Sequence, residues 1–255
     1  KGDIPQHHWF HLGRLVTSID GRATLMSWGG TMFEYLMPLL IMRTFPGTLL
    51  DQSCRISTAR QIAYGAQRRV PWGISESAYG VTDREGTYQY KAFGVPGLGL
   101  KRGLENELVV APYATALATM VTPAAAADNL ARLARDGALG RFGFVEAIDY
   151  SRRSDVTGFD TVADATRSST PAIVRAYFSH HQGMSLVALA NVVLDDVFVQ
   201  RFHADPRVQA TELLLQERVP REAIVSEPRP AAGARSSDAV TVTATRRFRS
   251  PHTAS

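Results

Sequence analysis

Apolar residues recur at helical spacing along most of the chain. One stripe joins Phe33, Leu36, Met37, Leu40 and Ile41, which are the i, i+3, i+4, i+7 and i+8 positions of one helix face. Similar spacing predicts further helices over residues 49–67, 108–121, 124–135, 171–178, 185–194 and 207–217. The pattern therefore predicts an all-α fold.

The one long uncharged run, residues 108–127, has about the length of a membrane span. Two prolines interrupt it, and Thr122-Pro123 has the form of a helix N-cap followed by proline at the first helical position. We interpret the run as two helices that meet at a turn, and we expect no membrane contact by this segment.

Two long segments, residues 70–103 and 140–169, are rich in glycine and aromatic residues and show no clear period. Loops of that length in a compact domain are usually functional. Helices joined by such loops are typical of helical hairpins arranged in a ring, with the loops forming a binding face at one end.

The composition changes at Pro220. Residues 220–238 are rich in Pro, Ala, Ser and Arg and predict a linker. Residues 239–245 then alternate as a strand does, and a single strand is not stable alone. We interpret 1–219 as one domain and 239–255 as the first strand of a further, truncated domain.

The bulk composition narrows the function only slightly. The chain has 255 residues, 45% hydrophobic content and a net charge of +4, with several basic residues near its end. Such a charge does not favour nucleic-acid binding. The chain begins with Lys1-Gly2-Asp3 and shows no signal peptide, so we expect a piece of a longer protein. Because Cys54 is the only cysteine, the chain can form no intrachain disulfide.

Three glutamates are candidates for glycosidic-bond chemistry, which needs a carboxylic acid and a second carboxylate. Glu76 lies in a non-periodic loop beside Trp72, and Glu146 lies among apolar groups that would raise the pKa of a carboxyl. Glu34 interrupts an apolar helical stripe and could equally be a buried structural acceptor. Asp149 could be a helix cap.

Aromatic side chains in the loops, Trp28, Trp72, Tyr79, Tyr90 and Phe93, could form a sugar-stacking surface, although aromatics are more often core. His180-His181-Gln182 lacks the i, i+4 histidine pair of a zinc site. We therefore expect no metal and no cofactor. His181 could continue a packed face or contact a substrate or a catalytic acid. The glycine-rich stretch 94–103 lacks the ending of a phosphate-binding loop and predicts a shaped loop beside the pocket.

Four motifs carry a family resemblance: SWGGTMFEYLMP at 27–38, WGISESAY at 72–79, YQYKAFGVPGLGLKRG at 88–103 and HHQGMS at 180–185. In this order, over roughly residues 9–219, the chain resembles the central glycoamylase-like domain of bacterial cyclic β-1,2-glucan synthases. The ending RRFRSPHT resembles the start of the phosphorylase-like region that follows in that family. Motifs of this length are far more specific than short catalytic signatures.

The resemblance implies an (α/α)6 toroid that lacks some N-terminal helices in this chain, a β-1,2-glucan substrate, and transglycosylation that closes a linear chain into a ring. It also implies neighbouring glycosyltransferase and phosphorylase-like domains in one bacterial polypeptide, at the cytoplasmic side of the inner membrane. These properties follow from the resemblance and not from periodicity.

We predict that Glu76 and Glu146 are the catalytic pair, without assigning the role of each. The predicted substrate-binding residues are Trp28, Glu34, Trp72, Tyr79, Tyr90, Phe93, Asp149, Tyr150, His180, His181 and Gln182. A carboxylate separation of about 5 Å would indicate retention and a larger one inversion. A hydrolytic endo-β-1,2-glucanase and a non-catalytic glucan-binding module are the two alternatives.

Overall fold

Helices and short strands alternate along the chain. The computed structural model describes residues 3–153, 170–227 and 242–248. Its α-helices are α1 (Met32–Leu36), α2 (Leu49–Arg68), α3 (Pro112–Ala118), α4 (Pro123–Leu133), α5 (Ser179–Val193), α6 (Val197–Phe202) and α7 (Pro206–Gln209). Short 3-10 helices lie at Gln6–His11, Met37–Leu40, Leu104–Asn106 and Glu212–Leu215, and a wider helical turn, Ala134–Ala138, follows α4.

The strands form several small antiparallel sheets. They are β1 (Val16–Ile19), β2 (Arg22–Leu25), β3 (Ser77–Thr82), β4 (Tyr88–Lys91), β5 (Val109–Val110), β6 (Leu139–Gly140), β7 (Gly143–Phe144), β8 (Ala147–Arg153), β9 (Pro171–Val174), β10 (Glu222–Glu227) and β11 (Val242–Arg247). Strand β8 is the centre of a three-stranded sheet with β5 and β9 at its edges, and the other strands pair as hairpins.

The prediction of an all-α toroid is wrong for this chain, because the structure is 42% helical and 21% strand. Residues 171–178 were expected to be helical, but Pro171–Val174 is strand β9, which pairs with β8. The apolar start of the run 108–121 is strand β5. Short apolar runs that are buried on both sides have no distinguishing period, so helix and strand look alike in them.

The helix predictions hold best where end signals are present. Helix α2 confirms the prediction over 49–67: the Thr48 side chain accepts a hydrogen bond from the Asp51 backbone N–H at 3.3 Å, and Arg69 ends the helix at φ 61°. The predicted stripe 33–41 is divided, because Pro38 opens a 3-10 turn after α1. Helix α5 begins at Ser179, six residues before the predicted start. No helix among the described residues is long and apolar enough to cross a membrane.

Two side-chain amides hold the irregular backbone that leads to Glu76. Gln61 on α2 donates from Nε2 to the Ile74 carbonyl at 2.8 Å, and its Oε1 accepts from the Ile74 N–H at 2.8 Å. Asn129 on α4 pairs in the same way with Trp72, donating at 2.8 Å and accepting at 3.2 Å. Each amide satisfies one buried residue's N–H and C=O as a neighbouring strand would, so this segment needs no sheet partner at those positions.

The glycine-rich stretch 94–103 lies against Gly29 and Gly30, which precede α1. The Val95 N–H donates to the Gly30 carbonyl at 3.0 Å. A Cβ at Gly94 would lie 1.7 Å from the Gly29 carbonyl oxygen, and one at Gly99 would lie 2.5 Å from the Gly30 nitrogen. The glycines therefore allow a close approach of two backbones, which agrees with a shaped loop.

The C-terminal strand β11 has its partner within the chain. It pairs with β10 over six residue pairs, from Glu222–Arg247 to Glu227–Val242. Strand β10 lies inside the predicted linker, of which residues 228–238 fall outside the described part, as do residues 239–241 of the predicted strand. The division of the chain at residues 219 and 238 stays a prediction.

We expect Gln61→Met to lower the free energy of unfolding by about 2 kcal/mol, because it leaves the buried Ile74 N–H without its partner and the Ile74 C=O with the Met32 N–H alone. Chemical denaturation of the variant measures this. Gln67→Met, an exposed position on the same helix, is the matched control and should change stability by less than about 0.5 kcal/mol. Equal effects at the two positions would contradict the role given to Gln61.

Candidate active site

Glu76 lies directly before strand β3, at the end of the segment that the Gln61 and Asn129 amides hold. Its neighbours Ser75 and Ser77 are fully buried, whereas Glu76 is partly exposed. The Tyr113 hydroxyl lies 2.8 Å from Ser75 Oγ and 2.9 Å from the Glu76 carbonyl oxygen. Ser75 Oγ also accepts from the Phe33 N–H at 3.0 Å. The backbone of Glu76 is thus fixed while its carboxyl reaches solvent.

The surroundings of Glu76 raise its pKa. Partial burial is the largest cause and the negative charge of Glu34 is the next, while His181 and Lys101 act in the opposite direction. A carboxyl with a raised pKa keeps its proton to higher pH than an ordinary glutamate does. Glu76 therefore has the property that a general acid needs.

Glu146 differs from Glu76 in its burial and in the hydrogen bonds to its carboxylate. It is 2% exposed and lies between β7 and β8. Its Oε1 accepts a hydrogen bond from the Ala78 N–H at 3.1 Å, and its Oε2 lies 2.9 Å from His181 Nδ1. Both carboxylate oxygens therefore have partners, as a buried acid requires.

Aromatic rings fix the orientation of His181, which is 1% exposed. The Tyr113 ring stacks on it with centroids 3.7 Å apart and an interplanar angle of 9°. The His180 ring lies 4.0 Å away by centroid. The remaining ring nitrogen, Nε2, lies 3.5 Å from the Tyr90 hydroxyl. The imidazole thus joins a buried acid to a half-exposed phenol.

Glu34 has a structural role that the sequence left open. It forms a capping box with Thr31: its Oε2 accepts from the Thr31 N–H at 3.0 Å, and the Thr31 hydroxyl accepts from the Glu34 N–H at 3.1 Å. The same carboxylate also accepts from the Gly29 N–H at 2.9 Å and the Ser27 hydroxyl at 2.9 Å. Glu34 therefore shapes the loop before α1 while its charge acts on Glu76.

Asp149 and Tyr150 are also engaged within the protein. Asp149 is fully buried, accepting from the Gly80 N–H at 3.0 Å and from the Arg152 guanidinium at 2.9 Å. It is a strand residue and not a helix cap. The Tyr150 hydroxyl donates to Asp136 at 3.2 Å, in the turn after α4. Arg152 in turn binds Glu107 at 2.6 Å.

The predicted stacking surface is divided between the core and the solvent. Trp28 is 68% exposed and Tyr90 is 44% exposed. Trp72 and Phe93 are 6% and 3% exposed, so their large apolar rings pack in the core and leave no face for a sugar, contrary to the expectation from sequence. Tyr79 is partly exposed, but the Arg152 guanidinium carbon lies 4.6 Å from its ring centroid.

Two further predicted residues lie beside the Glu146–His181 pair. The His180 residue is mostly exposed. The partial burial of its ring and, next, the neighbouring His181 lower its pKa. Gln182 donates from Nε2 to the Phe144 carbonyl at 3.0 Å. The structure thus brings Glu76, Glu146, Tyr90, His181 and their close neighbours into one cluster.

Sequence reasoning missed Tyr113, Ser75 and Lys101. Tyr113 lies in the apolar run 108–121, where an aromatic residue is expected in the core. Its stacking on His181 and its hydroxyl contacts with Ser75 and Glu76 show its place in the site. Lys101 donates from Nζ to the Ala92 carbonyl at 2.7 Å, and its charge acts on Glu76. The one sequence signal for Lys101 was its place as a basic residue near the end of the glycine-rich motif.

Two cavities differ in their relation to this cluster. A cavity of about 60 Å³ lies against Glu146, His181 and Gln182. A larger one of about 300 Å³ lies elsewhere, between Leu39–Thr44, α2 and the α5–α6 corner, and neither Glu76 nor Glu146 lines it. In the part of the chain that the structure describes, no group of three or more His, Cys, Asp or Glu side chains could hold a metal ion.

The pKa shifts predict opposite pH effects for two glutamates. Because the pKa of Glu76 is raised in the folded state, its ionisation disfavours folding above the unfolded pKa of about 4.5. We expect Glu76→Gln to raise Tm near pH 7, and this gain to disappear as the pH falls below the folded and then the unfolded pKa. Thermal unfolding from pH 7 to pH 4 measures it.

Glu107→Gln is the matched control with the opposite sign. Burial alone raises the pKa of Glu107, but hydrogen bonds and charges from Arg152 and Lys91 outweigh it and lower the pKa. The stabilisation from Glu107 is therefore present above its unfolded pKa and is lost as the pH falls through the folded value. Glu107→Gln should lower Tm near pH 7 and have a diminishing effect in acid. The same sign for both variants would contradict the assignment.

Comparison with known proteins places most of the chain in one family. Residues 2–206 match the glycoamylase family model, described as "Putative glucoamylase". The chain is 47% identical over 222 residues to the cyclic beta-(1,2)-glucan synthase NdvB of Rhizobium meliloti, an alignment that covers 87% of this chain. The chain spans 8% of the length of that relative.

Two solved structures share the fold at low sequence identity. One is a "putative glucoamylase" from Bacteroides caccae, with a TM-score of 0.55 and 17% identity over 80% of this chain and 46% of that one. The other is an endo-beta-1,2-glucanase from Chitinophaga pinensis in complex with sophorotriose and glucose, with a TM-score of 0.54 and 17% identity over 79% of this chain and 46% of that one. On the family match over residues 2–206, the chain belongs to the glycoamylase family.

Proposed function

We propose that this protein chain acts on β-1,2-glucan as part of a glycoside-active enzyme. It cleaves the glucan and transfers the cleaved part by paired-carboxylate catalysis. The observation that carries the proposal is the contrast between Glu76, which is partly exposed with a raised pKa, and Glu146, which is buried and hydrogen-bonded at both oxygens. The substrate follows from the names of two similar proteins, a cyclic beta-(1,2)-glucan synthase and an endo-beta-1,2-glucanase.

The surroundings of the two carboxyls favour different roles. Glu76 is the proton donor to the leaving oxygen, because its raised pKa lets it hold its proton to higher pH than an ordinary glutamate and its carboxyl reaches solvent. Glu146 is the second carboxylate, which attacks the sugar carbon or activates the attacking hydroxyl. The hydrogen bond from the Ala78 N–H and the contact with His181 orient it for that purpose.

Exposed aromatic residues supply the binding surface in this proposal. Trp28 and Tyr90 have free area beside the cluster, and aromatic rings of this kind combine apolar contact with a polar edge. His180 and Gln182 add polar groups next to them. In this proposal Glu34, Asp149 and Tyr150 shape the loops around the substrate through the hydrogen bonds that they make within the protein.

Transfer is distinguished from hydrolysis by the group that receives the cleaved chain. In a cyclising enzyme the acceptor is the other end of the same glucan, whereas in a glucanase it is water. We place the chain in a larger bacterial protein, beside glycosyltransferase and phosphorylase-like domains at the cytoplasmic side of the inner membrane. That placement rests on the similarity to the glucan synthase.

We expect Glu76→Gln and Glu146→Gln each to lower turnover of linear β-1,2-glucan by at least about a hundredfold, because each removes a group that acts in the transition state. The measurement is product analysis of the intact protein by chromatography and mass spectrometry. Rings as products support transfer, and shorter linear chains alone support the hydrolytic alternative.

Glu85→Gln is the matched control, because Glu85 is an exposed glutamate in the turn between β3 and β4. It should keep the activity of the parent protein. Retained binding of glucan with unchanged turnover in both active-site variants would support a non-catalytic binding module and contradict the proposed catalysis.

A further inference from the structure

The hydroxyl of Tyr90 is the exposed end of a chain of contacts that begins at a buried acid. Glu146 Oε2 lies 2.9 Å from His181 Nδ1, and His181 Nε2 lies 3.5 Å from the Tyr90 hydroxyl. Glu146 and His181 are 2% and 1% exposed, but Tyr90 is 44% exposed. A ligand beside the buried pair can therefore contact this series of groups through the Tyr90 hydroxyl. Contacts of this length in ligand-free sites often shorten when the ligand binds.

The rings around these groups leave little freedom to rearrange. The Tyr113 ring stacks on His181 at 3.7 Å with an interplanar angle of 9° and so fixes the plane of the imidazole. A 180° flip within that plane would put a carbon where Nδ1 lies and lose the 2.9 Å contact with Glu146 Oε2. Tyr90 stacks on Phe178 with centroids 5.8 Å apart and an angle of 19°. The two nitrogens of His181 are therefore held toward Glu146 on one side and Tyr90 on the other.

The position of the proton on His181 follows from Glu146. An ionised carboxylate only accepts hydrogen bonds, and a neutral imidazole has one donor and one acceptor nitrogen. If Glu146 is the second carboxylate, as in the proposed function on which this step rests, Nδ1 carries the proton. In the neutral imidazole Nε2 is then the acceptor, and the proton between it and Tyr90 comes from the phenol, whereas an imidazolium would donate from both nitrogens.

The phenol has that proton available. Burial, together with the negative charges of Glu76 and Glu146, raises the pKa of Tyr90, so its hydroxyl stays protonated at neutral pH. With this proton directed to His181, the phenolic oxygen faces outward as an acceptor. A glucan carries many hydroxyl donors, and a site built to accept one rejects ligands that lack it.

We infer that Tyr90 is a specificity-determining residue that accepts a hydrogen bond from a hydroxyl group of the glucan, and that Glu146 sets this polarity through His181. The sequence motifs do not indicate this link from Glu146 through His181 to Tyr90, because neither the register of β4 nor the position of α5 is visible in the sequence. The inference deepens the proposed function by giving Tyr90 a hydrogen-bonding role in addition to a stacking surface.

The first test measures binding of linear β-1,2-glucan to the intact protein that carries Glu76→Gln, so that turnover does not interfere. Adding Tyr90→Phe, which keeps the ring and removes the hydroxyl, should weaken the affinity by about three- to tenfold, the loss of one hydrogen bond. Tyr88→Phe, on the same strand, should leave the affinity unchanged. Equal affinities with and without Tyr90→Phe overturn the inference.

The second test reads the tautomer of His181 in the ligand-free protein by 15N NMR with labelled histidine. Its signals are assigned by their loss in His181→Phe and by contacts with the Tyr113 ring protons. We expect a protonated Nδ1 and an unprotonated Nε2. A proton on Nε2 would make Tyr90 a donor toward the ligand and overturn the proposed polarity. This readout does not depend on the identity of the substrate.

The third test asks whether the effect passes through His181. In a His181→Phe background, Tyr90→Phe should change the affinity by less than about twofold, since the phenol has lost the partner that orients it. A full effect in that background overturns the link to Glu146. If the Glu76→Gln protein does not bind β-1,2-glucan at all, the proposed substrate is wrong, while the NMR result still decides the polarity.

Discussion

The buried contact between Glu146 and His181 is the interaction on which the arrangement of the site depends. The two groups are 2% and 1% exposed, and neither could be buried at acceptable free energy without the other. Their contact at 2.9 Å connects the start of β8 to the first turn of α5, and the Ala78 N–H adds β3 to the same carboxylate. Three elements that are distant in sequence therefore meet at one acid, and the outward position of Glu76, two residues before Ala78, follows from their placement.

The backbone around Glu76 depends on a second constraint, the satisfaction of buried N–H and C=O groups. Trp72 and Ile74 are buried in a segment with no regular structure except an isolated bridge from Ile74 to Val110. The amides of Gln61 and Asn129 supply the hydrogen bonds that a sheet would otherwise provide. This is why polar residues lie inside helices α2 and α4 at buried positions. The helices serve as rigid supports, and the segment before Glu76 keeps a shape that neither a helix nor a strand would allow.

The parts that the sequence could predict are those encoded locally. Helix α2 was predicted from its helical spacing, and its bounds agree within about one residue because local features, the Thr48 cap and the left-handed Arg69, set its ends. Strands β5 and β9 were missed, because their pairing with β8 is non-local and their apolar runs show no period. Motifs pointed to Glu76, Glu146 and His181, which the structure brings into one cluster. Tyr113 was hidden in an apolar run, and the burial of Trp72 and Phe93 could not be distinguished from exposure, since both roles suit a large aromatic ring.

The carboxyls of the cluster show how one fold gives the same side chain three functions. Glu34 has its oxygens occupied by backbone N–H groups and a hydroxyl, which fixes it as part of a loop, yet its charge still raises the pKa of Glu76. Glu146 has partners at both oxygens and is 2% exposed, so protein groups alone orient its carboxylate. Glu76 alone combines a fixed backbone with a partly solvated carboxyl. The three acids therefore differ in the donors that reach them. Those of Glu34 are mostly backbone N–H groups beside α1, those of Glu146 are the Ala78 N–H and His181, and the pKa of Glu76 is set by burial and neighbouring charges.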